Sequence, residues 1–310
     1  MNLGLSRLRR LRLPALLPVV LVLAACAAPS TAPVPADIPF GQGRIWQVEG
    51  DGILRSYVFG TMHSTDERLR ELPPEVRQAF DAADAVAFEI ADLRAAEAEV
   101  AGALLLPPGR QLEDILGAEL FQRTASAVAP LGIPVPHLQR LRPWALIAVL
   151  AVPPGELFRQ AQGQLVLDAW LEAEARRQEK VVHGLETPGE QLALFENLSE
   201  AEQITMVVDL VDNYSEIQGQ YGRLFEAYLA GNMAALMAEL DDLSRSSDPE
   251  AALRFRHDLV EDRNHIMVER VLPLMAEAST FVAVGAAHLP GGQGVLRLLE
   301  QHGYTVTRLY

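Results

Sequence analysis

The sequence predicts a mixed α/β fold. A central sheet is built from two β–Gly-x-x-His–α–β units, with a large helical insertion between them. Three observations carry this expectation. A hydrophobic run ending in Gly-x-x-His occurs twice, in Ser56-Tyr57-Val58-Phe59-Gly60-Thr61-Met62-His63 and in Thr280-Phe281-Val282-Ala283-Val284-Gly285-Ala286-Ala287-His288. An amphipathic stretch and a second apolar run follow each copy: Leu72 to Ala83 with Ala85 to Ile90, then Gly294 to His302 with Tyr304 to Leu309. Between the copies, from about 91 to 276, the apolar spacing is mostly helical. A strand–helix–strand unit favours parallel strands, and ligands gather at the carboxyl ends of such strands. Glycine there permits either a positive-φ turn or a close approach. If the two units pair, their histidines converge.

The chain has 310 residues, 49% hydrophobic and 22% charged, which suits a globular body rather than a disordered one. Its first segment reads differently. Arg7, Arg9, Arg10 and Arg12 form a basic start, Leu13 to Leu23 is apolar, and Leu23-Ala24-Ala25-Cys26 looks like a bacterial lipobox. The apolar run is short for a membrane span. The expectation is a lipoprotein signal peptide over 1–25, acylation of Cys26, and a proline-rich tether over 26–42. An ordinary signal peptide with an incidental cysteine is the plainer alternative. Cys26 is the only cysteine, so the remaining body cannot form a disulfide. The formal charge of −15 argues against nucleic acid and against adhesion to anionic lipid. Acyl chains would supply membrane attachment instead. Ala27, rather than an acid, follows the cysteine, which points to the outer membrane of a bacterial envelope, facing the periplasm.

The body, 43–310, opens with a hairpin: Ile45 to Glu49, a turn at Asp51-Gly52, then Leu54 to Phe59. Glu89 lies in an otherwise apolar run, between Phe88 and Ile90. It points either to solvent or to the site holding His63, because a carboxylate is seldom buried without a partner. Within the insertion, helices are expected over Ala95 to Leu105, Glu113 to Val128, Pro143 to Leu150, Leu165 to Gln178 and Pro188 to Asn197. Further ones are expected over Ala201 to Gln218, Leu224 to Ala230, Met233 to Leu243 and Glu250 to Ala276. Pro107-Pro108-Gly109 and Pro153-Pro154-Gly155 read as breaks. One short strand, Lys180 to Glu186, ends in a second carboxylate, Glu186. Asp168 lies in an apolar helical stretch, where a solvated helix position is the plainer reading. Glu261, Asn264 and His265 share a helix face by spacing, and a solvated face is the usual explanation.

Several chemistries lack residues. There is no Gly-x-Ser-x-Gly elbow, no His-Glu-x-x-His helix and no P-loop lysine motif. Lys180 is the only lysine. What remains is His63, His288, Glu89 and Glu186. Imidazole with carboxylate suits a divalent ion such as zinc, manganese, cobalt or iron, which acidifies bound water. The same residues could act without metal, as general bases on water. Histidines that merely cap strand ends are the third reading.

These residues resemble the TraB/GumN family, which includes the Tiki-type membrane metalloproteases. The resemblance rests on Phe59-Gly60-Thr61-Met62-His63, Phe88-Glu89, Leu141-Arg142-Pro143-Trp144, Leu167-Asp168 and Gly184-Leu185-Glu186-Thr187 with Gln191-Leu192. It continues through Asp262-Arg263-Asn264 and Val284-Gly285-Ala286-Ala287-His288-Leu289-Pro290-Gly291. The family usually carries Glu-Arg-Asn where this chain has Asp262-Arg263-Asn264. The resemblance implies an erythromycin-esterase-like α/β core, metal-dependent peptide cleavage with manganese or cobalt, and a peptide or protein substrate. It places His63, Glu89 and His288 in the active site, with Glu186, Arg263 and Asn264 beside them. Arg263 would hold a carboxylate or stabilise oxyanion charge. Some relatives are linked to shutting off peptide pheromones, so binding without cleavage is the alternative from a different class.

Overall fold

Strands β1 (Ile45–Glu49), β2 (Ser56–Thr61), β3 (Ala85–Phe88), β4 (Val181–Gly184), β5 (Thr280–Gly285) and β6 (Thr305–Arg308) form one sheet. Their order is β4-β3-β5-β2-β1-β6. The computed structural model describes residues 38–310 apart from 93–94, 97–99 and 243–245. The signal segment, Cys26 and most of the tether therefore lie outside the described residues, as does part of the helix expected over Ala95 to Leu105. No helix among the described residues is long and apolar enough to cross a membrane.

The hairpin forms as expected, with β1 antiparallel to β2. The four strands β4, β3, β5 and β2 run parallel to one another. Strands β2, β3 and β5 are buried at nearly every position because both faces are covered, the pattern of a parallel sheet layered by helices. Phe281 of β5 meets Phe59 of β2 at 5.7 Å between ring centroids, and meets Phe80 of the helix Pro74–Ala82 edge-on at 5.2 Å. The outer strands β4 and β6 stay exposed or half-buried.

The two Gly-x-x-His strands are immediate neighbours. Gly60 pairs with Val284 and Thr61 with Gly285. Of the two uses for glycine, close approach is the one found at Gly60, which lacks a positive φ. A β-carbon on Gly60 would stand 2.9 Å from Leu289 Cδ1 and 3.2 Å from Ala286 Cα. Gly60 thus lets the first motif lie flush against the second. Gly60→Ala is expected to cost about 1–3 kcal/mol, the usual penalty for overpacking. An unchanged thermal midpoint would show that the contact relaxes freely.

The insertion builds a second core. All eight residues of the helix Pro143–Leu150 are buried, as expected of a helix apolar on every side. Around it pack the helices Ala118–Val128 and Glu200–Asp212. Three expectations are corrected here. The helix read over Glu113 to Val128 breaks at Gly117, whose φ of 76° suits glycine and ends a helix. The long helix read over Ala201 to Gln218 ends at Asp212, and a new one runs Tyr214–Leu229. Pro153-Pro154-Gly155 is the start of the helix Pro154–Ala161 rather than a break, because proline is well tolerated in a first helical turn.

Candidate functional site

Four candidate side chains emerge at one edge of the sheet because four adjacent parallel strands end there. His63 follows β2 by two residues and Glu89 follows β3 directly. Glu186 follows β4 by two, and His288 follows β5 by three. Glu89 thus lies just past the strand that was expected to contain it, and its carboxylate turns inward, away from solvent. Glu89 Oε1 accepts from the Gly285 amide at 2.7 Å, and Oε2 meets Arg263 Nη2 at 2.6 Å. Burial alone would raise its pKa. Arg263, both histidines and the Gly285 amide outweigh burial and pull it down to about 2.

Arg263 joins this carboxylate to Glu186. Its Nε donates to Glu186 Oε1 at 2.8 Å, Nη2 to Glu186 Oε2 at 2.6 Å, and Nη1 to the Leu259 carbonyl at 3.0 Å. Gln191 Nε2 donates to Glu186 at 3.1 Å and to Glu89 at 3.4 Å. Both oxygens of Glu186 are therefore engaged by protein donors. The solvated face expected around Glu261, Asn264 and His265 forms only in part: His265 is exposed and Glu261 half-buried, but Asn264 is buried. A π-helical turn, Asp258–Asp262, shifts the helix register, so that Arg263 and Asn264 are buried while Glu261 pairs with Arg256 at 2.9 Å.

His288 has no exposed surface. Asn264 Nδ2 donates to the Gln293 carbonyl at 2.8 Å, which turns its Oδ1 toward His288 Nδ1 at 2.7 Å. That contact places the ring proton on Nδ1 and leaves a lone pair on Nε2. This Nε2 is buried without a hydrogen-bond partner, 3.7 Å from Glu89 Oε1. Burial and the Arg263 charge lower the His288 pKa to about 3, against the pull of Glu89 and the Val260 carbonyl, so the ring is neutral near pH 7.

His63 faces an acid instead. Its Nδ1 lies 2.8 Å from Asp168 Oδ2, while Asp168 Oδ1 accepts from Thr61 Oγ1 at 2.5 Å. Burial lowers the pKa of His63, but Asp168 more than compensates and the net shift is upward. Asp168 is buried rather than solvated and was missed as a site residue. Its signal was an acid in the first turn of an apolar helix, Leu167–Arg177. Gln191 was missed too; a Thr187–Glu190 capping box fixes the helix Pro188–Glu196 that presents it.

Glu190 also binds Arg270 at 2.6 Å. That hydrogen bond, followed by those from Thr187, lowers its pKa from 4.5 to about 2. A depressed folded-state pKa gives stability that is present above 4.5 and is lost as pH falls toward 2. The stability gap between wild type and Glu190→Gln is therefore expected to narrow over that window in denaturant titrations. The pair is exposed, so the gap should also shrink in salt. A gap constant across the window would contradict the assignment.

A histidine that binds metal characteristically gives its other ring nitrogen to a carboxylate or carbonyl oxygen. His288 does so through Asn264, and His63 Nδ1 has a carboxylate oxygen of Asp168 within ion-pair distance at 2.8 Å. The 3.7 Å between His288 Nε2 and Glu89 Oε1 can be bridged by an ion at ordinary ligand lengths of about 2.0–2.2 Å. The donor set fits a divalent metal. His63 stands farther out. Among the described residues, the three ligand groups lying within 4.8 Å of one another are the exposed His257, which ends the helix Pro249–His257, and Asp258 and Asp262 of the π-helical turn.

Fold and site together define a mixed α/β protein whose parallel strand ends carry a buried cluster of histidines, carboxylates and an arginine. The chain belongs to the TraB/PrgY/gumN family, which it matches over residues 44–308. It is similar to Metalloprotease TIKI1 of Danio rerio, 26% identical over 84% of this chain and 62% of the relative. It is also similar to Metalloprotease TIKI2 of Xenopus tropicalis, 25% identical over 81% of this chain and 57% of the relative. Metalloprotease TIKI1 of Homo sapiens is 24% identical over 84% of this chain and 61% of its own length. The chain spans less than two thirds of the length of these relatives. No solved structure matches it.

Proposed function

We propose that this chain is a metal-dependent hydrolase of peptide bonds, held at a bacterial envelope by an acylated Cys26. One observation carries the reading: a buried imidazole lone pair with no partner faces a buried carboxylate. Two like-polarity acceptors so placed call for a cation between them. The relatives named as metalloproteases support the same choice. His288, Glu89 and His63 would hold the ion. A divalent ion bound there supplies Lewis acidity and a water acidified toward neutral pH. Manganese, cobalt and zinc all suit the donors.

The chain's own residues prepare this site. Asn264 fixes the tautomer of His288, and Asp168 orients His63. Arg263 keeps Glu89 ionised; its donors go to two carboxylates and a carbonyl, so it acts as a positioning residue rather than on substrate. Glu186 holds Arg263 in turn. The two strand–Gly-x-x-His–helix–strand units are read as copies of one ancestral unit, supported by the neighbouring, parallel placement of β2 and β5.

The test uses the full chain in detergent, stripped with chelator and offered a mixed peptide library. Cleavage is expected to vanish on stripping and to return with manganese, cobalt or zinc. Cleavage that persists in chelator would overturn the metal. Saturable peptide binding without any cleavage would favour a sequestering role. For the anchor, mass spectrometry of the mature N-terminus should find an acylated Cys26; an unacylated N-terminus would remove it.

A further inference from the structure

An open cavity lies beside His63. Its floor is the pair of strand exits, Thr61 to His63 from the first motif and Ala286-Ala287 from the second. Its far wall comes from the insertion: Leu224 of the helix Tyr214–Leu229, and Leu236 and Leu240 of the helix Met233–Leu240. Tyr228 Oη donates to the Gly60 carbonyl at 2.8 Å, pinning that wall to the first motif. The placement is therefore built into the fold.

We propose that this cavity is the subsite for an apolar side chain of leucine or methionine size, on the residue flanking the bond that is cut. This rests on the peptidase reading above and names the substrate class that the site selects. Three features argue for it. The lining is apolar apart from Thr61, His63 and Tyr221, and it offers no lysine or arginine to an acidic side chain. It offers no carboxylate to a basic side chain either. His63 lines the cavity, so a side chain lodged in it lies beside that histidine. A hydrophobic pocket discriminates roughly 10–200-fold for each methylene gained or lost.

The experiment uses dye-labelled hexaglycine peptides carrying a single leucine, methionine, phenylalanine, alanine, aspartate or lysine, with the full chain and its Leu236→Ala variant. Binding is read by fluorescence anisotropy and cleavage by mass spectrometry. Leucine and methionine peptides should bind at least tenfold tighter than alanine, aspartate or lysine peptides. Leu236→Ala enlarges the pocket and should move the preference to a phenylalanine peptide. A companion variant, Leu240→Met, keeps the volume and should keep the wild-type ranking. Circular dichroism confirms that each variant is folded. Equal binding of all peptides, no binding by any, or an unchanged ranking in a folded Leu236→Ala protein would overturn the subsite. Ranked binding with no cleavage by metal-loaded protein would uphold the subsite while overturning the peptidase reading.

Discussion

Arg263→Met is expected to destabilise the fold by about 3–5 kcal/mol, the usual cost of removing one partner from a buried ion pair. Its guanidinium is almost wholly excluded from solvent and contacts both Glu89 and Glu186 at 2.6 Å. Without it, two carboxylates remain at adjacent strand ends with no cation between them. The Gly285 amide and Gln191 still donate to them, but neither carries charge. The protein should respond by taking up a proton, so the penalty should be smaller at low pH than at neutral pH. Adding Glu186→Gln should recover part of the loss, because it removes one orphaned charge. The measurement is the urea midpoint of the two single variants and the double. A single variant within about 1 kcal/mol of wild type, or losses that simply add, would mean the cluster is better hydrated than the structure shows. Arg263→Lys should be a poor substitute, since an ammonium cannot reproduce the fork that holds two carboxylates.

The sheet was legible in the sequence because its strands are short apolar runs, bounded by glycine or acid. The hairpin, β3, β4, β5 and β6 all fall within a residue or two of the runs that announced them. Strand order was not legible: nothing local in Ala85 to Phe88 states that β5 separates it from β2. The site divided along the same line. Histidines and carboxylates at strand exits stood out by position. Asn264 was misplaced by a helical wheel because the π-helical turn adds a residue upstream, and the wheel assumes an unbroken 3.6-residue period. Asp168 was read as solvated, since its burial depends on His63 and Thr61, which lie about a hundred residues away in sequence. The helix Pro154–Ala161 was lost to its prolines. Its Glu156, fully buried, holds the Thr65 amide at 2.7 Å and so fixes the loop that carries His63.

His63→Ala, His288→Ala and Glu89→Gln are each expected to abolish peptide turnover, and to lower bound metal below one ion per chain. The sequence alone would treat such variants as harmless to the fold, since strand-exit residues bury little. The structure corrects this: His288 and Glu89 are buried and hydrogen-bonded, so each variant must be shown to be folded before its activity is read. If the three act as one unit, the double histidine variant should be little worse than either single one. Losses that multiply would separate the histidines into independent roles. Asp168→Asn offers the sharper test because Asp168 touches His63 and would not touch the ion. An amide can present its NH₂ to His63 Nδ1 and favour the wrong tautomer, the one with its proton on Nε2. Metal affinity should fall about 10–100-fold, the usual cost of losing such an outer partner. Turnover should then recover substantially when metal is raised to saturation. His63→Ala should show no such recovery, because the ligand itself is gone. Should Asp168→Asn instead lose turnover without weakening metal binding, His63 would be acting on a proton or on substrate, and Glu89 with His288 would be left to hold the ion.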